Sequence, residues 1–122
     1  MEFHVERDVL LRSLTHIQGV VEKKNTLPIL SNVLIQATEE GVLVTATDMD
    51  MIISEKINAN VKVSGSTTTG AQALYDVVRK LPSNSQLNFA LKDESKLKLI
   101  SGMSDYELTC LSSNEFPILA VS

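Results

Sequence analysis

The sequence predicts an α+β domain in which two helices pack against a largely antiparallel sheet. Three observations point there. Leu10, Leu14 and Ile17 fall at the i, i+4, i+7 spacing of a helix face, and Leu74, Val78 and Leu81 repeat that spacing. Other stretches alternate apolar and polar residues at the two-residue period of a half-buried strand. The elements also come in the same order twice, as a strand, a helix and three strands, over about 1–60 and 62–122. Each β-α-β-β-β unit has one apolar helix face and one apolar sheet face, and layering helices on sheet is the simplest way to bury both.

The first strand is short, with Phe3 and Val5 alternating with Glu2 and His4. The first helix follows, its polar side carrying Asp8, Arg12, Thr15 and His16, and Gly19 is suited to close it because glycine enters the left-handed conformation freely. Val20 to Leu30, with Lys23-Lys24-Asn25 and Pro28, reads as loop or extended chain. Strands are then predicted over Val33–Thr38, Val42–Thr47 and Met51–Ile57, separated by Glu39-Glu40-Gly41 and Asp48-Met49-Asp50 turns.

The second unit opens with a threonine-rich strand over Ser66–Thr69. Its helix starts at Thr69-Gly70 and is stopped by Pro82. Three alternating strands complete it: Leu87, Phe89 and Leu91; Leu97 and Leu99; and Tyr106, Leu108 and Cys110.

A chain of 122 residues fits one domain with one core, and 43% hydrophobic with 21% charged residues describes a globular protein. No apolar run approaches the roughly 18 residues of a membrane helix, and Met1-Glu2-Phe3-His4 lacks the features of a signal peptide. A single cysteine, Cys110, forms no internal disulfide, and the expected location is cytoplasmic.

Catalysis finds no support in these residues, and the chain is read as a non-enzyme. Only His4 and His16 could serve as an imidazole base, and neither has a convergent nucleophile. Cys110 lies in an alternating strand, where a buried structural role is the ordinary one. Asp48 and Asp50 form a tight carboxylate pair, but the glycine and distal glutamate of a calcium loop are missing. The five glycines at 19, 41, 65, 70 and 102 are too scattered for a phosphate loop, and zinc-ligand spacing is absent. No cofactor or metal is expected.

Charge is unevenly placed. The total is −4, which by itself argues against a nucleic-acid partner. Arg7 to Lys24 holds four basic and two acidic residues, a net +2, and Gly70 to Leu81 holds two and one, a net +1. The remainder holds five basic and twelve acidic residues, a net −7. Two readings remain open: a helix-side surface for a polyanion, or Lys and Arg drawn to helix C-termini by the helix dipole.

The segment Thr26-Leu27-Pro28-Ile29-Leu30-Ser31-Asn32 closely resembles the bacterial DNA polymerase III β sliding clamps. The opening Phe3-x-Val5-Glu6-Arg7 with Leu10-Leu11, the Thr47-Asp48-Met49-Asp50-Met51 turn, and Glu115-Phe116-Pro117 are similar to the same family. The likeness runs the length of the chain. It implies the DNA clamp fold and a non-catalytic processivity factor of the replicative polymerase. In that family three such domains make a protomer, and two protomers close head to tail into a ring around double-stranded DNA. Helices line the hole and hold the duplex through its phosphates without reading sequence.

Residues 1–122 are then the first of three domains. The resemblance implies DNA contact at Lys24, and with less support at Lys23, Arg79 and Arg12. It implies a homodimer contact at Tyr106 and Leu108, facing the third domain of a neighbouring protomer. The polymerase α subunit and the clamp loader would bind through domains absent here, and no membrane partner is implied. Gln72 and Ala73 stand where relatives often carry basic residues, so the second helix is expected to contribute less to DNA contact. The alternative, apart from the resemblance, is a non-catalytic α+β protein-interaction module with no DNA role.

Overall fold

The computed structural model of the chain describes residues 1–18, 31–47, 52–93 and 95–116. In order, the elements are β1 (Glu2–Glu6), α1 (Arg7–Gln18), β2 (Asn32–Thr38), β3 (Gly41–Thr47), β4 (Ile52–Ile57), β5 (Asn60–Val63), β6 (Gly65–Gly70), α2 (Ala71–Lys80), β7 (Gln86–Asp93), β8 (Lys96–Ser101) and β9 (Ser104–Leu111). A single 3-10 turn, Ser113–Glu115, follows β9. Among the described residues the strands form one sheet in the order β4-β3-β2-β6-β9-β8-β7-β1-β5. Every ladder is antiparallel.

The α+β class agrees with the sequence reading, and eight of the strands fall where alternation places them. Strand β5 does not. Its four residues show the burial pattern exposed, half-buried, exposed, exposed, so too little apolar periodicity marks it. It exists because β1 offers it a ladder, Phe3 opposite Val61 and His4 opposite Asn60. The closing glycine of α1, the loop to Leu30 and the Asp48–Asp50 turn lie outside the described residues.

The first strand of each half is lodged in the other half's strands. Strand β1 pairs with β7, and β6 pairs with β2. The two sets meet at a short seam, where β6 and β9 share only the pairs Thr68–Leu111 and Thr69–Cys110. Buried threonine hydroxyls extend that seam. Thr68 Oγ1 donates to the Leu111 carbonyl at 2.8 Å, and Thr69 Oγ1 donates to the Thr109 carbonyl at 2.9 Å. Asn32 Nδ2 donates to Thr68 Oγ1 at 3.1 Å, so this hydroxyl both gives and receives.

Both helices pack side by side on one face of the sheet. Leu10, Leu14 and Ile17 from α1 and Leu74 and Val78 from α2 are at most 4% exposed. They meet the inward residues of the strands, including Val33, Ile35, Val42, Val44, Leu87, Leu97 and Leu99. Phe3 and Phe89 face each other across the β1–β7 ladder with their rings stacked, centroids 4.9 Å apart. Burial of each such large side chain contributes roughly 1.5–3 kcal/mol, which is why the two helices stay on the sheet despite their short length.

Candidate nucleic-acid interface

The outward side of the helices carries the basic residues the sequence singled out. Arg12 follows from its place on α1, two residues past Leu10 and opposite the buried stripe. It is exposed and makes no ion pair among the described residues. On α2, Arg79 and Lys80 form the last turn, and both are exposed.

Arg79 is already engaged. Its guanidinium donates to Asp76 Oδ1 at 3.1 Å and lies 5.5 Å from the centre of the Tyr75 ring. Gln72 donates to the same Asp76 oxygen at 2.9 Å, and Ala73 is exposed. A phosphate reaching Arg79 therefore competes with a carboxylate, whereas among the described residues Arg12 and Lys80 have no carboxylate partner. Lys80 was not singled out as a contact residue by the sequence; its signal was its place beside Arg79 in the same last turn.

Arg7 was counted with the helix-side charge, and the structure assigns it other work. Its side chain is 14% exposed and pairs with Asp8 at 3.1 Å. Its Nε donates to the Val78 carbonyl at 3.1 Å and another guanidinium nitrogen donates to the Arg79 carbonyl at 2.9 Å. Those carbonyls belong to the last turn of α2, where an α-helix leaves acceptors unpaired and carries partial negative charge. Arg7 thus serves a helix end, while Arg12 and Lys80 face solvent.

Lys23 and Lys24, the foremost expected contacts, lie outside the described residues, as do Thr26 to Leu30, Asp48 to Met51 and Pro117. The remaining titratable candidates have structural settings. His16 Nδ1 lies 3.0 Å from Glu55 Oε1 and ties α1 to β4. Cys110 is 3% exposed, and burial pushes its thiol up from the ordinary range, which disfavours the nucleophilic thiolate. Among the described residues no group of three or more His, Cys, Asp or Glu could hold a metal ion, and no helix is long and apolar enough to cross a membrane.

Tyr106 and Leu108 were expected at an edge, but the available edge lies in the backbone and not in these side chains. Leu108 is 6% exposed and joins the core, and Tyr106 is half-buried against it. Strand β9 stands between β8 and β6, yet β6 covers only its last two residues. From Ser104 to Thr109 the described ladders give β9 a partner on one side only, β8.

The comparisons with known proteins bear on this geometry. The family profile described as "DNA polymerase III beta subunit, N-terminal domain" matches residues 1–120. The chain belongs to that family. A beta sliding clamp of Caulobacter vibrioides is 38% identical over 121 residues, which is 98% of this chain and 32% of that protein. The solved Caulobacter crescentus pol III beta structure superposes with a TM-score of 0.94 at 38% identity, covering 100% of this chain and 33% of that one. A Bartonella birtlesii DnaN sliding clamp, solved with griselimycin bound, gives a TM-score of 0.95 at 37% identity, covering 100% of this chain and 32% of that one. The chain therefore spans about a third of the length of these beta clamps. Its two helices on an antiparallel sheet are the fold of the family's N-terminal domain.

Proposed function

We propose that this chain serves as the first of three domains in a sliding clamp, a non-catalytic cytoplasmic subunit that tethers the replicative DNA polymerase to its template. Two protomers would close around duplex DNA, with the helix side turned to the phosphates and the sheet turned outward. The superposition on the Caulobacter crescentus protein over the whole chain carries this reading. The exposure of Arg12, Arg79 and Lys80 on the helix layer supports the orientation.

Residues of this kind attract phosphates without reading bases, which a sliding ring requires. With Arg7 committed and Arg79 shared, a single domain offers few free charges, so retention would come from topological closure and not from affinity. Polymerase and clamp loader would engage domains beyond this one.

The test is a full-length clamp in which Lys23 and Lys24 are changed to glutamate. It should lose retention on circular DNA while keeping its circular dichroism spectrum. Unchanged retention would favour a protein-interaction module with no DNA role.

A further inference from the structure

The face of the sheet turned away from the helices holds a depression over β8, β7, β1 and β5, which are consecutive in the strand order. One short side chain sets its floor. Ala90 on β7 stands opposite Lys98 on β8 and Glu2 on β1, and its methyl cannot fill the gap between two long neighbours. The space is about 260 Å³ and open to solvent, below the roughly 300–1,000 Å³ of a pocket that encloses a small ligand. It is a seat for a few side chains.

Positive charge gathers at this seat. Five basic residues lie outside the two helix segments, and four of them, Lys62, Lys92, Lys96 and Lys98, belong to β5, β7 and β8. Three of the four line the depression, against the single carboxylate of Glu2. Lys98 is steadied by Asp105 at 3.2 Å, and Lys96 is turned to Glu107 at 3.5 Å. Lys62 and Lys92 are exposed and have no ion pair among the described residues. Asp93, next to Lys92, is occupied in its own turn, accepting from the Ser95 N–H at 2.8 Å and the Ser95 hydroxyl at 2.9 Å.

Apolar surface lies beside the lysines. Ile100 is 39% exposed and stands opposite Asn88, which in turn stands opposite His4. Ammonium groups around exposed apolar surface suit an extended chain whose carboxylates alternate with apolar side chains. Nucleic acid fits this face less well. Phe3, Phe89 and Phe116 are buried, Tyr106 packs against the core and Tyr75 stands on α2, so no aromatic ring is placed here to stack a base. Glu2 would also oppose an unbroken run of phosphates, whereas a peptide can set a neutral residue beside it.

We infer that this depression binds an acidic, amphipathic segment of a partner protein, its carboxylates on Lys62, Lys92 and Lys98 and an apolar side chain seated over Ala90 beside Ile100. The site lies on the opposite side of the sheet from the helices. It therefore leaves the surface proposed for DNA free and does not depend on ring closure.

The experiment is fluorescence anisotropy of the full-length protein with a labelled peptide of alternating Asp and Leu at low salt. Lys62→Gln with Lys92→Gln should weaken binding about fivefold, the sum of two exposed ion pairs. Lys56→Glu on β4 changes the net charge by the same amount and should stay within about twofold. Ala90→Leu fills the floor without altering charge and should weaken binding at least about threefold, the worth of about one buried CH₂. Circular dichroism should show all three variants folded, since each changes the outer face alone. Equal losses from Lys56→Glu and from the Lys62 and Lys92 pair would mean attraction by net charge only, and overturn the inference. Binding indifferent to that pair or to Ala90→Leu overturns it as well, by placing the peptide elsewhere. So does a thymine oligonucleotide or tripolyphosphate that binds more tightly than the peptide with the same dependence on Lys62 and Lys92. Absence of peptide binding up to about 1 mM is a further refutation.

Discussion

Arg7, the first residue of α1, donates its Nε hydrogen to the carbonyl of Val78 in the last turn of α2, at 3.1 Å. One helix thus ends on the side chain that begins the other, and the same guanidinium reaches the Arg79 carbonyl at 2.9 Å. The backbone joins in, since the Arg7 N–H donates to the Ser85 carbonyl at 2.9 Å, just past the end of α2.

Replacing Arg7 with methionine should therefore destabilise the fold by about 1–2 kcal/mol, because the part-buried Val78 carbonyl and the exposed Arg79 carbonyl each lose a charged donor. Lysine should recover only part, having no planar fork with which to reach both carbonyls. Arg12→Ala should stay within about 0.5 kcal/mol of the parent, as an exposed side chain without an ion pair among the described residues. Urea unfolding of the three variants checks the contrast; equal effects would remove Arg7 from its capping role.

In a full-length clamp, Arg12→Ala and Lys80→Ala should each reduce the salt slope of DNA association by about 0.9 in log–log form, uniformly across sequences. Arg79→Ala should change it less, because Asp76 already screens that guanidinium. Asp76→Asn should then raise DNA affinity by freeing Arg79. Fluorescence anisotropy at several salt concentrations reads all four. An Asp76→Asn variant that binds no better would show that Arg79 does not reach the duplex.

Thr69→Val should cost about 1–3 kcal/mol even though it keeps the shape of the side chain. The Thr109 carbonyl would lose this donor in a part-buried seam, since Thr69 is 0% exposed and bonds that oxygen at 2.9 Å. Thermal unfolding measures the loss. A neutral Thr69→Val would mean that the two strand sets are held together without the hydroxyls.

Cys110 gives the fold an alkaline limb. Burial raises the folded thiol above its ordinary value of 9.0. A group raised on folding contributes its stability fully at low pH, and loses it as pH climbs from the unfolded value toward the folded one. Stability should decline above about pH 9, by at most about 1.4 kcal/mol per pH unit from this group. Cys110→Ala should flatten that decline in denaturant titrations at pH 8 and 10. An unchanged slope would assign the limb to other residues.

Most of the architecture was legible because its signals are local. The Leu10/Leu14/Ile17 and Leu74/Val78/Leu81 stripes mark helices whose apolar faces are buried as their spacing requires. The Val42, Val44, Ala46 alternation marks a strand whose inward residues are at most 2% exposed. What was not legible depends on distant pairing. Asn60–Val63 has little pattern of its own and is a strand because β1 lies beside it. The edge role of Leu108 came from the resemblance and not from its own pattern; alternation gives a side chain's face but not what covers it, and here Leu108 is 6% exposed. Arg7 looked like surface charge because nothing in its neighbourhood reveals a helix end 71 residues later. On the helix side, the exposure of Arg12 followed from helical phase, whereas the hold of Asp76 on Arg79 required the third dimension.

The exchange of β1 and β6 between halves has a consequence for how the domain responds to force and to cutting. Each half lacks a strand that the other supplies. A break in the chain at Ser64, between β5 and β6, should leave two pieces that are unfolded apart and recombine when mixed, as a split protein does. A body laced in this way yields as one unit or not at all. If it stands in a ring that must open, the hinge belongs to the joints between domains, and this domain travels through the opening as a rigid link.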